Sequence, residues 1–369
     1  MSEQEPVVAC HELTCAAGRI GVARLNTPRK LNALGLDMIQ TLDRQLSAWA
    51  EDPAIAVVVL HGAGGKAFCA GGDIRLVTDA IRRGETGPRD MPATYFAEEY
   101  RLDYRIHTYP KPLLVWGEGI VMGGGMGLMA GGSHRVVTPN SLLAMPEITI
   151  GLFPDVGATW YLNRMPAGAG LYLGLTGARF NAADALFLGF ADCLLEDGSL
   201  DAVLEALQAC RWGAEPAADH DRLSELLRRF VAASAPAEQI GPRLPRIREM
   251  LRYRDVARTV AEIRRLSAGD AYLQENAERL LAGSPLSAHV ISAQLRGGKH
   301  LSLAECFRLE LTLAVRFAQG HDFAEGVRAL LIDKDRQPRW ECTDFADVAP
   351  ERVTEHFRSP WEPGEGPLD

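Results

Sequence analysis

An α/β fold is what this sequence predicts, and three observations predict it. Short apolar runs of strand length alternate with segments of helical spacing, glycine and Asp-Pro breaks separate them, and strand signals fade beyond residue 200. Residues 20–25 read as a strand. Residues 36–50 put Ile39, Leu42, Leu46 and Trp49 on one face of a helix, and after Asp52-Pro53 the continuous apolar run 54–60 reads as a buried strand. A second unit follows: a strand over 113–121, a glycine turn, a helix over 124–130 and a strand over 134–138. Between the units, residues 76–109 carry Tyr95, Phe96, Tyr100 and Tyr104 at intervals that suit an amphipathic helix. Beyond Asp201 helical patterns take over, interrupted by Pro216, Pro236, Pro242 and Pro245. The expected organisation is therefore a core over 1–200 and a mainly helical region over 201–369 packing on it.

The chain has 369 residues and a formal charge of −9, which argues against general nucleic-acid binding while leaving room for a local basic pocket. Residues 221–265 hold eleven arginines against six acids, read here as a solvated helical face rather than a dedicated anion site. Seven cysteines, an odd number without C-x-x-C spacing, fit reduced thiols. The acidic start, residues 1–8, has no apolar leader core, and no apolar run reaches the roughly 18 residues of a membrane span. A cytoplasmic protein without membrane attachment is expected.

The chemistry concentrates between Gly123 and Gly157. Gly123-Gly124-Gly125 follows a strand-like segment, and Met145-Pro146-Glu147 and Gly151-Leu152-Phe153-Pro154-Asp155 follow in turn. Carboxylates in apolar sequence are costly to bury unless paired, protonated or used. Glycines in a turn can aim backbone N–H groups at an oxygen. A second glycine loop, Ala70-Gly71-Gly72-Asp73, follows the run ending at Leu60. Two such loops can supply an oxyanion hole, whose donors contribute about 3–4 kcal/mol each to a transition state. Glu147 and Asp155 then fit a pair in which one carboxylate activates water while the other holds it or protonates a leaving group. Taken singly, each has an ordinary alternative, a helix cap for Glu147 and a turn for Asp155.

Other chemistries find less support. Gly125-Met126-Gly127-Leu128-Met129-Ala130 formally matches a dinucleotide fingerprint with Glu147 as its acid, but Pro146, the mid-chain position and the triple glycine argue against it. No G-x-S-x-G elbow, H-E-x-x-H pair or Cys/His cluster occurs, so neither a serine triad nor a metal site is expected. Cys69 lacks an evident partnering base and reads as a packed residue.

These residues resemble the crotonase (enoyl-CoA hydratase/isomerase) superfamily. The likeness starts near Gly21-Val22-Ala23-Arg24-Leu25-Asn26-Thr27-Pro28 with Lys30-Leu31-Asn32-Ala33 and runs through the Ala70-Gly71-Gly72-Asp73 loop, Lys111-Pro112, the triple glycine and Pro146-Glu147. It implies a spiral of ββα units with a helical C-terminal region, an acyl-CoA thioester as substrate and oxyanion donors at the N–H groups of Gly72 and Gly124. It also implies coenzyme A contacts at Ala70 and Lys30, a homo-oligomer, and no cofactor beyond the coenzyme A of the substrate. Hydratases of this superfamily carry a glutamate where Gly127 stands here, and tend to have glycine at the position of Asp155. The pattern instead is similar to the 3-hydroxyisobutyryl-CoA hydrolase branch of valine breakdown. Phe96-Ala97-Glu98-Glu99-Tyr100, Ser284-Pro285-Leu286-Ser287 and the stretch from His321 to Asp335 agree with that branch. The resemblance makes Glu147 and Asp155 the catalytic pair and places Glu99, otherwise read as an exposed helical acid, in the acyl pocket. An enoyl-CoA hydratase or isomerase and a non-catalytic acyl-CoA-binding protein are the alternatives.

Overall fold

A computed structural model describes residues 5–213 and 215–369, so part of the acidic start at 1–8 lies outside the described residues. Two sheets arise because strands in the middle of the chain are dealt alternately between them. Strands β1 (Val8–Thr14), β2 (Arg19–Leu25), β3 (Ile55–Gly62), β4 (Ala67–Cys69), β5 (Leu113–Gly117), β6 (Ile120–Met122), β7 (His134–Val137), β8 (Leu142–Ala144), β9 (Phe180–Asn181) and β10 (Cys193–Leu194) run in chain order. The larger sheet is β1-β2-β3-β5-β7-β10 and the smaller β4-β6-β8-β9. Each of the pairs β3/β4, β5/β6 and β7/β8 thus gives one strand to each sheet. Helices Ile74–Arg82 and Met91–His107 follow the first pair, and Gly124–Ala130 follows the second. This is the ββα spiral. In the larger sheet only β1 against β2 is antiparallel.

The chain passes back and forth between two compact units. One contains the described residues up to Gly72, Leu102–Leu143 and Phe180–Glu238; the other contains Asp73–Arg101, Ala144–Arg179 and Gln239–Asp369. In the first, register aligns Ile20 with Val57, Val22 with Val59, and Val59 with Leu114, so every second side chain falls on one face. Helical cover comes from Val203, Leu207, Leu223 and Leu227, which join that face in one apolar cluster. Helix Leu36–Glu51 covers the opposite face: a Cβ at Gly21 would lie 2.6 Å from the Trp49 ring. Each fully buried aliphatic side chain here contributes about 1.5–3 kcal/mol.

The expected single strand over 113–121 is two strands in different sheets. Gly119 forces the break: it sits at φ +70, and a Cβ there would come within 2.4 Å of the Lys66 carbonyl oxygen. The short strands β8, β9 and β10 carry too few residues for an alternation to register. No strand follows Leu194 among the described residues, and none of their helices is long and apolar enough to cross a membrane.

Candidate active site

In the first unit, the parallel pairing of β4 with β6 sets two glycine loops side by side. The Ala70-Gly71-Gly72 loop is pinned from the other side, Leu34 N–H donating to Gly71 O at 2.9 Å and Ala70 N–H to Leu31 O at 3.1 Å. Gly71 adopts φ +113, a conformation reserved for glycine, and a Cβ there would meet Met122 O at 3.4 Å and Gly124 N at 4.0 Å. Gly124 opens helix Gly124–Ala130, where the first N–H groups have no intrahelical acceptor. The approach of the loops admits no side chain at Gly125, whose Cβ would fall 2.2 Å from Cys69 O. Gly72 and Gly124 therefore lie on neighbouring strand-to-turn segments, and no hydrogen-bond acceptor engages either N–H among the described residues. Lys30 is exposed at the end of a 3-10 turn, next to Leu31, whose carbonyl holds Ala70. Gly127 is buried within the helix.

The second unit gathers the acids. Glu147 is the first residue of the 3-10 helix Glu147–Ile150 rather than its cap, and it is buried. Asp155, 5% exposed, stands at the head of a turn in which Val156 has φ +53 and Gly157 φ +86. A left-handed conformation is rare for a β-branched residue, so surrounding contacts must over-determine this turn. They do. Glu310, in helix Leu303–Gln319, accepts from Gly157 N–H and Thr159 N–H, both at 2.7 Å. Gln294 donates to Pro154 O and to Thr159 Oγ1, each at 2.8 Å. Tyr100 donates its hydroxyl to Asp155 Oδ2 at 2.7 Å.

Glu99 is not the exposed helical acid that sequence alone suggests. It is 2% exposed, while its neighbour Glu98 reaches out to Arg101. One carboxyl oxygen of Glu99 and one of Glu147 are buried without a hydrogen-bond partner. Burial raises both carboxyls well above the ordinary range, and repulsion from Asp155 raises them further. Asp155 is pushed by burial only to about 6, because the Tyr100 hydroxyl and its own backbone favour the anion. Burial pushes Glu310 to about 8 against the pull of the Gly157 and Thr159 amides. Four acids in one apolar neighbourhood cannot all carry charge at neutral pH. Such an arrangement can hold protons at one carboxyl and release them at another, which general acid/base and nucleophilic chemistry both require.

The structure thus brings Glu99, Glu147 and Asp155 together in one unit, and Lys30, Ala70, Gly72 and Gly124 together in the other. Sequence reasoning missed Glu310, Gln294 and the donor role of Tyr100. A signal for Glu310 existed: a lone acid inside Leu309-Glu310-Leu311-Thr312-Leu313 is costly to bury without partners.

Comparison with known proteins places this geometry in context. The enoyl-CoA hydratase/isomerase family profile matches residues 20–357. The chain is 38% identical over 347 residues to the mitochondrial 3-hydroxyisobutyryl-CoA hydrolase of Xenopus tropicalis, covering 94% of this chain and 88% of that protein. It is 36% identical over 344 residues to the Homo sapiens enzyme of the same name, covering 93% and 87%. Among solved structures, a carnitinyl-CoA dehydratase from Mycobacterium thermoresistibile superimposes with a TM-score of 0.84 at 31% identity, over 98% of this chain and all of that one. An enoyl-CoA hydratase from Rhodobacter sphaeroides 2.4.1 gives 0.83 at 33% identity, over 96% and 97%.

Proposed function

The chain belongs to the enoyl-CoA hydratase/isomerase family, and from its likeness to relatives named 3-hydroxyisobutyryl-CoA hydrolase we propose that it is an acyl-CoA thioester hydrolase. Its substrate in this reading is a short branched hydroxyacyl-CoA, 3-hydroxyisobutyryl-CoA, cleaved to 3-hydroxyisobutyrate and coenzyme A as in valine breakdown; relatives of that name are similar over nearly the whole chain. The observation that carries the reading is the buried pair Glu147 and Asp155, with Glu99 close enough to repel both and Gly127 where a hydratase glutamate would stand.

The N–H groups of Gly72 and Gly124 take the thioester oxygen as it gains charge, and Ala70 and Lys30 meet the coenzyme A. Glu147 either attacks the carbonyl carbon or removes a proton from a water that does. By the first route the C–S bond breaks to leave an acyl anhydride on Glu147, which a water then hydrolyses. By the second, water's oxygen joins the carbonyl directly. In both, the departing thiolate takes up a proton, and Asp155 either orients the water or handles that proton, while Tyr100, Glu310 and Gln294 hold Asp155 in place. The reaction needs no cofactor beyond the coenzyme A that the substrate carries. Glu99, with an oxygen lacking a partner, bonds the substrate hydroxyl. A buried polar group left unpaired by an analogue without that hydroxyl makes the site selective.

Release of free thiol from 3-hydroxyisobutyryl-CoA tests the reading, with isobutyryl-CoA, 3-hydroxypropionyl-CoA and crotonyl-CoA beside it. Rapid release from the hydroxyacyl substrates, slowed by about 100-fold or more for isobutyryl-CoA and lost in Glu147→Gln and Asp155→Asn, is expected. The hydratase reading draws on the likeness to the solved carnitinyl-CoA dehydratase and enoyl-CoA hydratase. Consumption of crotonyl-CoA without thiol release would select it. Full activity in either variant would remove that residue from the mechanism.

A further inference from the structure

Part of the arginine-rich stretch 221–265 borders a hollow. Two of its members, Arg248 and Arg254, converge with Arg296 and Lys299 on a cavity of about 570 Å³ within the second unit. No carboxylate is among the described residues that line it. The acids nearby in sequence are engaged elsewhere: Glu249 pairs with Arg252, Glu262 with Arg265, and the Asp255 carboxylate accepts from Arg258 N–H. All four cations are solvent-exposed, and in a chain of net charge −9 they share one hollow without a carboxylate in its lining.

Two of the cations are also held in place. Arg248 Nε donates to Ala167 O at 3.0 Å, while Arg296 Nη2 donates to Tyr253 O at 2.8 Å and its Nε to Ser292 Oγ at 3.2 Å. Each guanidinium is thereby held by neutral acceptors with N–H groups to spare. Gly168, at φ +92, borders the hollow, and a Cβ there would touch Arg248 Cγ at 3.4 Å. Desolvation, and then the neighbouring Arg254 charge, hold the Arg296 guanidinium below its ordinary value, which an incoming anion would relieve. Met165, Leu171 and Leu295 supply an apolar wall beside the charges.

We propose that this cavity is a binding site for an organic polyphosphate, its phosphates held by Arg248, Arg254, Arg296 and Lys299 and its apolar or aromatic body laid against Met165, Leu171 and Leu295. A carboxylate alone would leave most of the positive charge uncompensated. A phosphate chain matches several guanidinium forks at once, each in paired hydrogen bonds. Nucleoside triphosphates and a second molecule of coenzyme A share this chemistry. The site is separate from the acids of the proposed reaction and does not depend on that reading.

Calorimetric titration of the full chain with ATP, inorganic tripolyphosphate and free coenzyme A tests it. ATP is expected to bind saturably at about one per chain, more tightly than tripolyphosphate, with affinity falling as salt rises. Arg254→Gln combined with Lys299→Gln should weaken ATP by about tenfold or more. Neither side chain is hydrogen-bonded or ion-paired among the described residues, so the melting temperature of the variant should match the parent's; Arg248→Gln provides an independent variant with the same expected loss. Displacement of ATP by free coenzyme A from the parent would identify a coenzyme A moiety as a source of the ligand, and its failure to compete would leave the nucleotide. Absence of saturable ATP binding, unchanged ATP binding in both variants, or tripolyphosphate binding as tightly as ATP would overturn the assignment.

Discussion

Tyr100→Phe isolates one hydrogen bond at the proposed site. The change deletes the hydroxyl that donates to Asp155 Oδ2 at 2.7 Å and keeps the ring, which packs 5.9 Å from both Phe96 and Phe307. A hydrogen bond to a charged acceptor contributes about 1.5–3 kcal/mol, and a pKa unit corresponds to about 1.4 kcal/mol. Because the bond favours the anion, its loss raises the Asp155 carboxyl from about 6 by about 1–2 units. For a rise of about 1.5 units, the ionised fraction at pH 7 falls from roughly nine-tenths to roughly a quarter. Thiol release from 3-hydroxyisobutyryl-CoA, followed from about pH 5 to 9, should therefore drop about fourfold at pH 7 and recover in alkali. An acidic limb that stays in place would refute both the role of Asp155 as the group that sets it and the coupling through Tyr100.

Glu310→Ala strands the Gly157 and Thr159 amides, each buried donor costing about 1–3 kcal/mol, and should lower unfolding free energy in urea while reducing turnover through the loosened Asp155 turn. Stability should also fall with rising pH. Glu310, raised from 4.5 to about 8, keeps in the folded state a proton that the unfolded chain has already lost, so its contribution is full below about pH 4.5 and is lost as pH passes through 8. Between about pH 6.5 and 8, denaturation should show a decline of up to about 1.4 kcal/mol per unit; a rise there would contradict the buried carboxyl. Gly125→Ala, with its Cβ 2.2 Å from Cys69 O, should cost about 3 kcal/mol, the upper end for an overpacked core, in thermal denaturation. Gly297→Ala, helical and with nothing within 4 Å, should gain up to about 1 kcal/mol.

Which features were legible in the sequence follows from the range of the interactions that set them. Helix Leu36–Glu51 and strand β3 are written in local periodicity, and Trp49 meets Gly21 because both sides of that contact lie in strongly patterned segments. The division of residues 113–122 into β5 and β6 was not legible. The apolar run is continuous in character, and what breaks it is the Lys66 carbonyl closing on Gly119 from about fifty residues earlier in the chain. The acids divide in the same way. Glu147 and Asp155 stand out as charges in apolar sequence, whereas the burial of Glu99 is settled by what packs around its helix. Glu310 clamps a turn 153 residues away, a relation that no local pattern encodes.

The order in which the acids ionise offers a way to separate the two proposed routes. Asp155 accepts from the Tyr100 hydroxyl and is raised only to about 6, so it takes the first negative charge at neutral pH. Glu147, with an unpartnered oxygen and Asp155 beside it, holds its proton longer. Asp155→Asn removes that like charge, so the Glu147 carboxyl must fall toward its ordinary value and become a better nucleophile. At the same time the variant lacks the group that, in this reading, orients the water of the second step. If Glu147 attacks directly, the variant should release a burst of about one thiol per site and then stall, and its intact mass should rise by one acyl group lost again on Glu147→Gln. If Glu147 activates water, no covalent species exists to trap, and the variant should release thiol slowly from the start with its mass unchanged.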